Sequence, residues 1–244
     1  MKFEPRRYSA VLLAADRSLT ARQLLMALDC ERSGIKPVTP IGEWSVGAGT
    51  VRVRANYSRS SRAVADDDGL YPHRVFVADA TIDGRPYHLV ASPYVRFLAK
   101  CLKRLDDSRP MPLIYFKPSM SDVFSHFETT RPTRLAATRI SVLMEGDVGL
   151  EIVSLSGRNP LRSDLRHALL GVASPYAIRV KGTFIEKRPV NIHADRHGNI
   201  WCHLGSEEAL INMAAFASVM IRNGHLAPTS SSPLLRLPGE DSDL

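Results

Sequence analysis

Apolar positions fall into short runs along this chain, some alternating with polar residues and some recurring at helical spacing, with turn residues between them. Tyr8 to Ala14 is an apolar run closed by Asp16 and Ser18, which predicts a first strand. Thr20 followed three residues later by Gln23 is a capping box. Leu24, Leu25 and Leu28 then share a face, so a helix is predicted from Ala21 to about Arg32, ended by Gly34. From Gly42 to Tyr57 the period becomes two: Val51 and Val53 alternate with Arg52 and Arg54, and Val46 to Gly49 reads as a turn. Ser58 to Gly69 is polar and reads as a loop.

Two β-rich runs between Arg74 and Ser92 flank Asp83-Gly84, a dipeptide suited to the positive φ angles of a tight hairpin. Ser92 and Pro93 then open a helix whose apolar stripe is Tyr94, Leu98, Cys101, Leu102 and Leu105. Leu113 to Phe116 predicts a short strand and Ser119 to Phe127 a short helix, within a region punctuated by prolines. A second hairpin is expected from Arg134–Met144 and Leu150–Ser156, turning at Glu145-Gly146-Asp147. Asn159 and Pro160 begin a helix running to about Leu170, with Gly171 ending it. Strands follow at Ile178–Ile185, Pro189–Ala194 and Ile200–Leu204. A last, mostly apolar helix is capped by Ser206 and ended by Asn223-Gly224.

Strand pairs followed by helices predict an α+β fold with mixed or antiparallel sheets, built from repeated β-hairpin–helix units with helices packed on one face. Two regions are expected, 1–130 and 131–226, or one continuous domain, with a disordered tail at 227–244. The 244-residue length and 44% hydrophobic content are enough for a sizeable core. No run approaches the roughly 18 apolar residues of a membrane-spanning helix. The run Ala10–Ala15 is too short for a secretion signal, which points to a cytoplasmic protein. Cys30, Cys101 and Cys202 are few and widely spaced, as in a reducing compartment.

No phosphate-binding GxxxxGK[ST] loop, dinucleotide GxGxxG turn, GxSxG elbow or HExxH pair occurs, and no cofactor is expected. The densest group of potential metal ligands is His193, Asp195, His197, Cys202 and His203. Pairing strands about the turn at 196–199 puts His193, Asp195, Ile200 and Cys202 on one face, and Ile192, Ala194, Trp201 and His203 on the other. That splits the ligands, so no metal site is assigned. Asp147 and Glu151 in the second hairpin are a candidate carboxylate pair, and they or the His193 region are the basis of a metal-dependent nuclease as a third reading.

Net charge shifts the balance towards anionic partners. The formal charge is +7, with arginines grouped in three places. Arg52 and Arg54 share a strand face, with Arg59 and Arg62 in the loop beyond. Arg96, Lys100, Lys103 and Arg104 line the polar side of a helix, and Arg158, Arg162 and Arg166 follow four-residue spacing. Guanidinium groups pair with phosphate through two parallel hydrogen bonds. The expectation is a non-enzymatic nucleic-acid-binding accessory protein that contacts the DNA or RNA backbone through these clusters. The alternative is a protein-interaction subunit of a larger assembly, whose arginine-rich faces dock an acidic partner.

Overall fold

The computed structural model describes residues 8–14, 20–28, 36–41, 43–54, 70–93, 95–109, 113–129, 135–146, 149–158, 160–182, 190–202 and 206–230. Its strands are β1 (Tyr8–Ala14), β2 (Lys36–Ile41), β3 (Trp44–Arg54), β4 (Leu70–Ile82), β5 (Arg85–Ser92) and β6 (Tyr115–Pro118). The second half supplies β7 (Leu135–Gly146), β8 (Gly149–Ser156), β9 (Ala173–Gly182), β10 (Val190–Asp195), β11 (Ile200–Cys202) and β12 (Leu226–Thr229). Helices are α1 (Ala21–Ala27), α2 (Val95–Asp107), α3 (Met120–Thr129), α4 (Asp164–Leu170) and α5 (Ser206–Arg222).

These strands build one sheet in the order β2-β3-β4-β5-β1-β11-β10-β9-β7-β8, with β6 paired to β1 and β12 to β6. The described pairings are antiparallel, and the β1–β11 ladder joins the two halves of the chain. The protein is therefore α+β around a large antiparallel sheet.

Alternation along the strands sends side chains into two separate cores. Tyr8, Ala10 and Leu12 of β1 face one core, while Val11 and Leu13 face the other. The first core runs under β1, β3–β5 and β7–β11 and is covered by α3, α4 and α5; Met213, Phe216 and Met220 of α5 are buried in it. The second lies on the opposite side and is closed by α1 and α2 through Leu24, Leu25, Leu98 and Leu102. Helices thus pack on both faces of the N-terminal strands, not on one. The reason is visible in β4 and β5, where Val75, Val77 and Val90 sit between the residues of the first core, making both faces apolar.

Local chemistry explains many of the boundaries. Thr20 and Gln23 close their capping box, with Thr20 N–H donating to Gln23 Oε1 at 2.8 Å and Gln23 N–H to Thr20 Oγ1 at 3.3 Å. Asp83 and Gly84 turn the β4–β5 hairpin with φ angles of 50° and 73°, as the sequence predicts. The span Val46–Gly49 is not a turn but the middle of β3. Gly47 lets α1 approach there, since an added Cβ would stand 2.9 Å from Leu25 Cδ1. Residues 227–229, expected at the start of a disordered tail, instead belong to β12, which pairs with β6.

The helix expected from Pro160 to Leu170 is broken in two. Pro160–Arg162 forms a 3₁₀ turn, and Ser163 then caps α4 by accepting a hydrogen bond from Arg166 N–H at 3.2 Å.

Candidate nucleic-acid interface

The predicted basic residues meet different fates. Arg59 and Arg62 lie outside the described residues. Arg52 and Arg54 are placed on β3, opposite Pro72 and Leu70, but their side chains, like that of Arg96 on α2, lie outside the described residues. Lys100, Lys103 and Arg104 are exposed on α2, where Lys103 Nζ pairs with Asp107 at 3.0 Å.

The third cluster does not form a stripe. Arg158 is exposed, but Arg162 donates from Nε and Nη2 to the Glu128 carbonyl at 3.0 and 2.9 Å. Arg166 is 7% exposed, and its Nη1 meets Glu128 Oε1 at 2.5 Å. Four-residue spacing aligns side chains only along a continuous helix. The break at Ser163 removes that alignment, and two of the three arginines fasten α4 and its preceding turn to α3.

The β10–β11 hairpin also departs from its expected register. Asp195 and Asn199 close the turn, so that Ala194 pairs with Ile200, Ile192 with Cys202 and His193 with Trp201. Ile192, Ala194, Ile200 and Cys202 therefore share the core face, while His193 and Trp201 share the other. Asp195 is buried and serves the turn. Its Oδ1 accepts from His197 N–H at 2.9 Å and Asn199 N–H at 3.1 Å, and its Oδ2 accepts from Asn199 Nδ2 at 2.8 Å. Burial raises its pKa, although the Asn199 and His197 hydrogen bonds oppose the shift. His203 and Asp147 lie outside the described residues, and Glu151 is exposed on β8. Among the described residues no three His, Cys, Asp or Glu side chains converge as a metal ion requires.

A different arrangement emerges on the side of β7–β11 away from the first core. None of its residues belongs to the second core, which is confined to the N-terminal strands and their helices. Direct cross-strand partners form an unbroken transverse row: Ser92, Ser9, Trp201, His193, Arg179, Arg139 and Ser156. The two serines at its β5 end are buried, the next four residues are half-buried and Ser156 is exposed. Lys181, also exposed, stands two residues from Arg179 on the same face.

A β-bulge produces the centre of this row. Ala137 pairs with Val180 and Arg139 with Arg179, so Thr138 is the extra residue, and its Oγ1 donates to the Arg179 carbonyl at 3.3 Å. Bulges re-aim side chains; here the bulge sets two arginines directly opposite each other. Like charges at that spacing repel. Burial and then the Arg139 charge hold the Arg179 guanidinium below the ordinary arginine value. Arg179 Nε is buried without a hydrogen-bond partner, and no described carboxylate pairs with either arginine. Next to them the His193 and Trp201 rings stack, 14° from parallel with centroids 5.0 Å apart.

Both components are legible in part from the sequence. Ile178-Arg179-Val180-Lys181 alternates apolar with basic, and His193 and Trp201 alternate with buried neighbours. Strand order and the bulge, which bring them together, leave no local signature. No known protein-family model matches this chain, and no curated protein matches it as a relative.

Proposed function

We propose that this chain is a non-enzymatic nucleic-acid-binding accessory protein that holds the phosphate backbone against the face of β7–β11 opposite the first core. Arg139 and Arg179 make the principal contact, with Lys181 beside them. The observation that carries the reading is the pair of facing arginines, which repel each other and have no described counter-charge. A phosphate between them satisfies both guanidinium groups and removes the repulsion. The row ends at Ser92, three residues before α2 begins, so exposed Lys100, Lys103 and Arg104 extend the positive field on the same side of the sheet.

The test is a titration of the protein into labelled DNA and RNA across a salt series. Affinity that falls steeply as salt rises supports backbone binding. No binding at low salt rejects the proposal. A second reading, a protein-interaction subunit, rests on β8, which is an edge of the described sheet and carries exposed Ile152.

A further inference from the structure

Resting on that reading, we infer that the partner of this face is a single-stranded nucleic acid, whose bases stack on the Trp201–His193 pair while its backbone meets Arg179 and Arg139. Two kinds of recognition stand side by side in one row. The Trp201 and His193 rings stack on each other, and the very next partner across the sheet is a guanidinium. From Trp201 to Arg139 there are three strand spacings, about 14 Å in all. That matches a sheet surface on which roughly two or three bases are stacked.

Duplex nucleic acid fits this arrangement poorly. Its bases are already stacked within the helix and are unavailable to side chains lying on a flat sheet. A duplex would use the arginines and leave the ring pair idle. A single strand uses both, because every unpaired base has a face to offer. Neither ring is enclosed in a core: both are half-buried, on the side opposite Ile192, Ala194, Ile200 and Cys202.

The protein carries a built-in reporter. Of its two tryptophans, Trp44 is buried, with its Nε1–H donating to Ser218 Oγ at 2.8 Å, whereas Trp201 lies in the proposed contact. Intrinsic fluorescence is therefore followed while the full chain is titrated with a twenty-nucleotide oligothymidylate, a duplex of the same length, and heparin. Wild type, Trp201→Leu and Trp201→Phe are compared, with thermal melting confirming that each variant is folded. The expected result is tryptophan quenching by the single strand alone and tighter binding of it than of the duplex. Trp201→Leu loses about five- to a hundred-fold in single-strand affinity, the loss of one stacked base. It leaves heparin binding unchanged, and Trp201→Phe retains most of the single-strand affinity. Equal affinity for single strand and duplex, with Trp201→Leu indifferent to both, overturns this inference while the backbone-binding proposal stands. Failure to bind any of the three probes at low salt overturns both.

Discussion

Asp195 gives the sharpest test of how the hairpin carrying His193 and Trp201 is held. Substitution by Ala removes the acceptor for three donors at once: the His197 and Asn199 amides and the Asn199 side-chain amide. A buried donor left without a partner costs about 1–3 kcal/mol. Water can reach part of this turn, since His197 is only half-buried, so the three donors do not add in full. Removing a buried carboxylate also recovers some desolvation energy. The net expectation is a loss of about 2–4 kcal/mol, or a fall in melting temperature of roughly 5–15 °C for a chain of this size.

Asp195→Asn behaves differently. Its Oδ1 keeps both backbone donors, and its new amide donates to Asn199 Oδ1, which has no described partner, once the Asn199 amide turns over. The cost is then within about 1 kcal/mol of zero at neutral pH. The sign with pH follows from the raised pKa. In the folded state Asp195 binds its proton more tightly than in the unfolded state, so this group's contribution falls as pH rises from the ordinary aspartate value through the folded one. The substituted amide does not titrate, so Asp195→Asn gains on wild type as pH rises through the same window. Chemical denaturation at several pH values measures both effects. An Asp195→Ala variant as stable as Asp195→Asn would refute the reasoning, because the turn would not then depend on the carboxylate's hydrogen bonds.

Other consequences of the fold are equally measurable. Arg166→Ala strands Glu128 and is expected to cost about 1–3 kcal/mol, less than a fully buried pair because Glu128 keeps some exposure; a double-mutant cycle with Glu128→Ala should return a coupling of at least about 1 kcal/mol. Gly47→Ala drives a Cβ into the buried Leu25 side chain and should destabilise by about 1–3 kcal/mol in denaturant melts. His126 and His225 stand 5.1 Å apart, and burial lowers both pKa values, with the His225 charge adding to the shift at His126 and Asp122 opposing it at His225. Their contribution is present above the ordinary histidine pKa and is lost as pH falls below it and through the folded values. His126→Phe should flatten that acid-side decline; an unchanged pH profile would count against it.

The elements were more legible than their assembly. Capping at Thr20, the Asp83-Gly84 hairpin and the Leu98, Cys101, Leu102 and Leu105 stripe of α2 are written in residues close together in the chain, and the structure reproduces them; Tyr94 lies outside the described residues. What failed depends on contacts distant in sequence. Arg158, Arg162 and Arg166 have helical spacing, but spacing does not reveal that Glu128, 38 residues from Arg166, claims two of them. The hairpin register turned on whether Asp195 belongs to the strand or to the turn, and a one-residue difference exchanges faces. Arg139 and Arg179 carry no signal separately. They become a site only through the β7–β9 pairing and the extra residue Thr138.

The most direct test of the central claim is the salt dependence of single-strand binding by Arg139→Gln/Arg179→Gln beside wild type, both verified as folded. Each phosphate contact contributes about 0.7 to the slope of log affinity against log salt for a single strand. Because the two arginines share one phosphate, the double variant is predicted to bind more weakly and to lose roughly 0.7 from that slope. A variant with wild-type affinity and an unchanged slope would contradict the account and place any phosphate contact elsewhere on the protein.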